Sequence, residues 1–71
     1  MFYVYIICSV NNPDKKYVDY TKDLRRRLLE HSSGGIRHTT KYKPWELMVY
    51  LGFKNEENAI AFEKYLKSGS G

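Results

Sequence analysis

The stretch Lys16-Tyr17-Val18-Asp19-Tyr20-Thr21-Lys22-Asp23-Leu24-Arg25-Arg26-Arg27-Leu28-Leu29-Glu30-His31 decides the fold. Its first five residues, Lys16 to Tyr20, are rich in aromatic and β-branched types and predict a short strand. Thr21 or Lys22 then opens a helix, with Asp23 in its first turn, where a negative charge meets the positive end of the helix dipole. The helix runs to about Ser32 and stops at Ser-Ser-Gly-Gly. On a wheel of about 100° per residue, Leu24 and Leu28 form the apolar stripe. Arg25 and Arg26 swing to solvent, while Arg27 and His31 flank the stripe one turn apart. Two readings stay open for that pair. Arg27 snorkels and His31 is an ordinary edge histidine, or both belong to a functional site.

Upstream, Phe2 to Cys8 is nearly apolar on both faces and predicts a central strand. The turn chemistry of Asn11-Asn12-Pro13-Asp14 joins it to the Lys16 strand. A connection this short links antiparallel neighbours, so the two strands form a hairpin. Tyr5 and Tyr17 then sit on paired strands, and Tyr17 shares a face with Asp19 two residues on. Downstream, Gly34 to Pro44 is a basic loop carrying Arg37, His38, Lys41 and Lys43. A loop this long in a small domain is functional or holds a short helical turn. Trp45, Leu47, Val49, Leu51 and Phe53 alternate with Glu46, Met48, Tyr50 and Gly52, which predicts a third strand with one apolar face. Asn55 caps a last helix reaching about Lys67. The expected fold is α+β: a small, mainly antiparallel three-stranded sheet with flanking helices, in the order β-β-α-β-α.

The last helix holds a misplaced charge. Ala59, Phe62 and Leu66 form its core stripe, with Tyr65 on one side and Ile60 on the other. Glu63 falls inside that arc. A carboxylate there loses hydration and needs a cation or donors. A salt bridge or a tyrosine hydroxyl answers that need, and so does a hard divalent metal, for which carboxylate oxygen is suited.

The 71 residues allow one domain, 1–71, with a thin core. The single cysteine, Cys8, permits no internal disulfide. The apolar start, Met1 to Val10, lacks a basic lead and is too short to span a bilayer. A cytoplasmic setting with no membrane association is the expectation. The formal charge of +4 suits an anionic partner such as nucleic acid.

Taken in order, these residues resemble the GIY-YIG nuclease family, most closely its small standalone bacterial members. Tyr3-Val4-Tyr5 stands where the family has Gly-Ile-Tyr, and Tyr17-Val18-Asp19 where it has Tyr-Ile-Gly. Arg27 and His31 match the arginine and histidine of its first helix, and Glu63 its metal-binding glutamate. The resemblance covers nearly the whole chain. It implies endonucleolytic hydrolysis of phosphodiester bonds, with DNA a better candidate than RNA. It implies one Mg²⁺ or Mn²⁺ at Glu63, stabilising charge on the leaving oxygen, and no small-molecule cofactor. Arg27 would clamp the phosphate with its planar fork. Tyr5 or Tyr17 would help activate water, the choice between them left open, and His31 would orient a tyrosine. Lys22 would add positive charge, and Arg37, His38, Lys41 and Lys43 would contact the backbone.

Two departures bear on activity. Asp19 replaces the motif's glycine and puts a carboxylate on Tyr17's face, where it raises the tyrosine's pKa and repels phosphate, or becomes a second metal ligand. Weakened hydrolysis is the expectation, and a nucleic-acid-binding module that has lost catalysis is the alternative function. Tyr3 at the first motif's glycine position is milder. The chain stops at Ser68-Gly69-Ser70-Gly71, where family members often continue, so a truncated or minimal form is expected.

Overall fold

A computed structural model describes residues 1–35 and 37–68, apart from the side chains of Arg37 and His38. The elements are β1 (Phe2–Ser9), β2 (Lys16–Thr21), α1 (Leu24–Ser33), a 3-10 helix (Arg37–Tyr42), β3 (Trp45–Phe53) and α2 (Glu56–Lys67). The three strands form one sheet in the order β2-β1-β3, with both pairings antiparallel. The apolar β1 is therefore the central strand, as its composition requires. The basic loop after α1 holds a short helical turn, one of the two outcomes its length allows.

Adjacent residues of a strand face opposite sides. Val4 and Tyr5 are both buried, at 2% and 0% exposure, so both faces of β1 are covered. On the Tyr5 face, α1 supplies Leu24, Leu28 and His31 over Tyr5, Ile7, Tyr17 and Trp45. On the other, α2 buries Ala59 and sets Phe62 against Phe53, the register partner of Phe2.

The helix ends follow local chemistry. Asp23 is the N-cap of α1 rather than a first-turn residue, because its carboxylate accepts the Arg26 N–H at 3.1 Å and holds its own backbone out of the helix. Gly34 closes α1 with a positive φ of 85°. The turn, rather than the flexible Lys43 side chain beside it, is what calls for glycine there. Asn55 caps α2 as expected, accepting from Glu57 and Asn58 N–H. Among the described residues, no helix is long and apolar enough to cross a membrane.

The third strand departs from its alternation. Ile6 pairs with Val49 but Ile7 pairs with Leu47, which makes Met48 the extra residue of a bulge. Trp45 and Leu47 thus share the Tyr5 face, while Val49, Leu51 and Phe53 turn to the α2 face. The expected single apolar face does not form. Only Trp45 is buried; Leu47 to Leu51 are each 36–51% exposed, because β3 is an edge strand with one sheet neighbour.

Candidate active site

The hairpin register builds the site. Tyr5 pairs with Asp19 and Ile7 with Tyr17, so Tyr5 and Tyr17 share one face as diagonal rather than direct neighbours. Above that face, α1 presents Arg27 and His31 one turn apart. The His31 ring meets both tyrosines edge to face, with centroids 5.8 Å from Tyr5 and 5.5 Å from Tyr17.

An uncharged hydrogen-bonded chain runs through the buried part. The Trp45 indole N–H donates to the Thr39 carbonyl at 2.7 Å. Thr39 Oγ1 lies 2.8 Å from His31 Nδ1, and His31 Nε2 lies 2.8 Å from the Tyr5 hydroxyl. A neutral imidazole, the form that burial favours, donates from one ring nitrogen and accepts at the other. Burial lowers the His31 pKa below 6.5, and the positive charge of Arg27 lowers it further. Burial likewise pushes the Tyr5 hydroxyl well above the usual tyrosine range, against the opposing pull of the Arg27 guanidinium beside it. Tyr5 is thus a protonated, fully buried side chain whose hydroxyl sits between His31 Nε2 and the Arg27 guanidinium.

A charged rim lies outside this chain. Arg27 Nη2 donates to Asp19 Oδ2 at 3.1 Å, and Arg27 Nη1 lies 3.6 Å from Glu30 Oε1. The Asp19 side chain is 14% exposed and that of Arg27 36%, so water reaches the guanidinium from one side. Arg27 Nε is buried with no hydrogen-bond partner. Across β2, Lys67 Nζ lies 3.1 Å from Glu63 Oε2 and 5.7 Å from the centre of the Tyr17 ring. Tyr17 is the hub of the rim: half-buried, beside His31, and within the fields of Asp19, Lys67, Arg27 and Glu63. Burial raises its pKa and Asp19 adds to the rise, while Lys67 and Arg27 oppose it.

The structure thus gathers Tyr5, Tyr17, Arg27 and His31, and brings Glu63 to the group through Lys67. The Glu63 side chain is only 12% exposed, as its place inside the apolar arc of α2 predicted. Among the described residues, no group of three or more His, Cys, Asp or Glu converges to hold an ion. A single, mostly buried carboxylate suits a hard divalent ion that keeps its waters and takes phosphate oxygen, as Mg²⁺ does. Lys22 stacks over Phe2 at 5.4 Å, Lys41 over Tyr42 at 5.4 Å, and Lys43 packs on Gly34. These three stand outside the hydrogen-bonded cluster. The side chains of Arg37 and His38 lie outside the described residues. Thr39 and Lys67 are members that the sequence did not single out. Lys67 carried a signal, since Glu63 and Lys67 have the i,i+4 spacing of a helical ion pair; Thr39 carried none.

The GIY-YIG catalytic domain matches residues 1–71. A structure-specific endonuclease subunit SLX1 homolog of Drosophila mojavensis is 39% identical over 69 residues, covering 84% of this chain and 23% of that protein. A UPF0213 protein of Streptococcus pneumoniae is 42% identical over 52 residues, 72% of this chain and 52% of that protein. A UPF0213 protein of Pediococcus acidilactici is 32% identical over 72 residues, 97% of this chain and 71% of that protein. The chain thus spans about a quarter of the Drosophila relative and about half of the streptococcal one.

Proposed function

The chain belongs to the GIY-YIG catalytic domain family, and from that premise we propose that it is an endonuclease that hydrolyses DNA phosphodiester bonds with one divalent ion at Glu63. The observation that carries this reading is the convergence on Tyr17. A half-buried tyrosine, a water-accessible guanidinium and a mostly buried carboxylate meet around β2. The SLX1 relatives, named as structure-specific endonuclease subunits, support a nucleic-acid substrate.

In this reading Arg27 binds the non-bridging oxygens of the scissile phosphate through its planar fork. Tyr17, not Tyr5, meets the attacking water. Its side chain reaches solvent, whereas Tyr5 is fully buried and bonded to His31. The Tyr17 oxygen accepts a hydrogen bond from that water and orients it. Lys67 and Arg27 are the charges that favour loss of the Tyr17 proton, and burial, Asp19 and Glu63 resist it. Tyr5 and His31 are positioning residues: their mutual hydrogen bond fixes the floor on which Tyr17 and Arg27 stand. The ion held by Glu63, Mg²⁺ or Mn²⁺, supplies charge stabilisation for the leaving oxygen when bound. Lys22 adds positive charge, and Arg37, His38, Lys41 and Lys43 contact the nucleic-acid backbone.

Nicking of supercoiled plasmid in Mg²⁺ or Mn²⁺, run beside Glu63→Ala, tests the proposal. The parent chain nicks and the variant does not. If neither nicks while both still bind the plasmid, the chain is a binding module and the enzymatic reading is wrong.

A further inference from the structure

We infer that Asp19 is a built-in anion on Arg27, holding one arm of the fork that a phosphate would take, and that it thereby sets how tightly the chain holds nucleic acid. The inference rests on the reading of Arg27 as the phosphate-binding group. Two carboxylates flank that guanidinium, and they are not equivalent. Glu30 lies 3.6 Å away on the same helix, and its side chain is 36% exposed, so solvent and salt screen it. Asp19 is nearer, at 3.1 Å, and only 14% exposed. Its second oxygen accepts the backbone N–H of Tyr20 at 2.8 Å, which fixes the carboxylate in place. Asp19 is thus a held, partly desolvated anion directed at Arg27 from the neighbouring strand.

A phosphate bound through both arms of a guanidinium fork needs the Nη2 donor that Asp19 Oδ2 now holds. A phosphate arriving at Arg27 must therefore displace Asp19 or bind beside it, and beside it two negative charges face each other. In the resting molecule Arg27 is already neutralised. Its charge contributes to phosphate binding only after the exchange.

The test is binding without turnover. A labelled duplex is titrated in EDTA, over a series of salt concentrations, with the parent chain, Asp19→Asn, Arg27→Gln and the double variant. The amide introduced by Asp19→Asn still offers Tyr20 an acceptor but no longer neutralises Arg27. The expected result for Asp19→Asn is affinity about tenfold tighter and a plot of log K against log salt steeper by about one, the signature of one further phosphate contact. Arg27→Gln weakens binding, and in that background Asp19→Asn gives no gain. The inference is overturned if Asp19→Asn leaves affinity and slope unchanged while Arg27→Gln weakens binding. It is equally overturned if the gain survives without Arg27, because Asp19 then acts by general repulsion. If Arg27→Gln binds as the parent does, the phosphate role of Arg27 fails first and the inference fails with it. A measurement on the unmutated chain guards against misfolded variants. The ¹³C shift of the Asp19 carboxyl should move when the duplex is added, and a static resonance at saturation contradicts the exchange.

Discussion

The site has two halves that differ in kind. The inner half is the chain from Trp45 through Thr39 and His31 to Tyr5, buried, uncharged and linked by contacts of 2.7–2.8 Å. The outer half is the rim of Asp19, Arg27, Glu63 and Lys67, whose cations are 36% and 46% exposed. A buried hydrogen bond has no cheap substitute, because losing one partner leaves the other unsatisfied away from water. An ion pair at the surface exchanges its partners readily and contributes little to stability. The difference assigns the halves different tasks. The inner one holds the hairpin and α1 in a single arrangement, and the outer one offers charges that a phosphate or a cation can take over.

The division breaks most visibly if rim variants unfold the chain. Glu63→Gln should lower cleavage on the order of a thousandfold, the several kcal/mol of charge stabilisation that a bound ion supplies. The same variant should change unfolding free energy by less than about 1 kcal/mol, because the amide keeps the side chain's shape and the Lys67 ammonium left behind is 46% exposed to water. Cleavage assays and thermal melts on one preparation decide the matter. A collapse in melting temperature would move Glu63 into the structural half.

His31→Ala is the counterpart. It opens a cavity and removes the buried hydrogen bonds to the Tyr5 hydroxyl and Thr39 Oγ1, so a loss of about 3 kcal/mol is expected. For a domain of this size that corresponds to a fall in melting temperature of roughly 10–20 °C. A melt within a few degrees of the parent would show that the inner chain does not hold the fold.

Legibility in the sequence divided along a similar line. The hairpin, both helices and the Asn55 cap followed from local signals that need no partner. Arg27, His31 and Glu63 stood out because helical spacing set polar groups beside an apolar stripe; in the structure His31 is buried, Glu63 mostly buried, and Arg27 lies at the boundary with its side chain 36% exposed. The bulge at Met48 was invisible, since a nine-residue alternation is satisfied by a straight strand and only pairing with β1 reveals the extra residue. Thr39 was invisible for a similar reason: nothing in a basic loop marks which hydroxyl will reach a buried histidine. Asp19 was placed correctly on the face of Tyr17, but its pairing with Arg27 depends on how α1 crosses the hairpin.

A pH series sharpens the contrast without mutation. The folded His31 has its pKa lowered from 6.5 by burial, so the unfolded chain binds a proton that the folded chain resists. The sign follows: this contribution is neutral above 6.5 and becomes destabilising as pH falls below it, by at most about 1.4 kcal/mol per pH unit. Denaturant midpoints should fall between pH 6.5 and 5 in the parent. In a histidine-free inner chain, His31→Gln, that slope should flatten; an unchanged slope would place the sensitivity elsewhere.

The smallest effect separates the two tyrosines. Tyr5→Phe removes a hydroxyl whose partner, His31 Nε2, is buried and then has none, so a loss of about 1 kcal/mol in stability is expected. Tyr17→Phe removes a hydroxyl from a half-buried ring and should leave stability within about 0.5 kcal/mol of the parent. Cleavage should respond in the opposite order, falling further for Tyr17→Phe, because only Tyr17 reaches solvent to orient water. Denaturant titrations beside plasmid nicking give both readouts. If Tyr5→Phe proves the more damaging to cleavage while sparing stability, the inner chain takes part in the chemistry, and the line between the two halves runs on the other side of Tyr5.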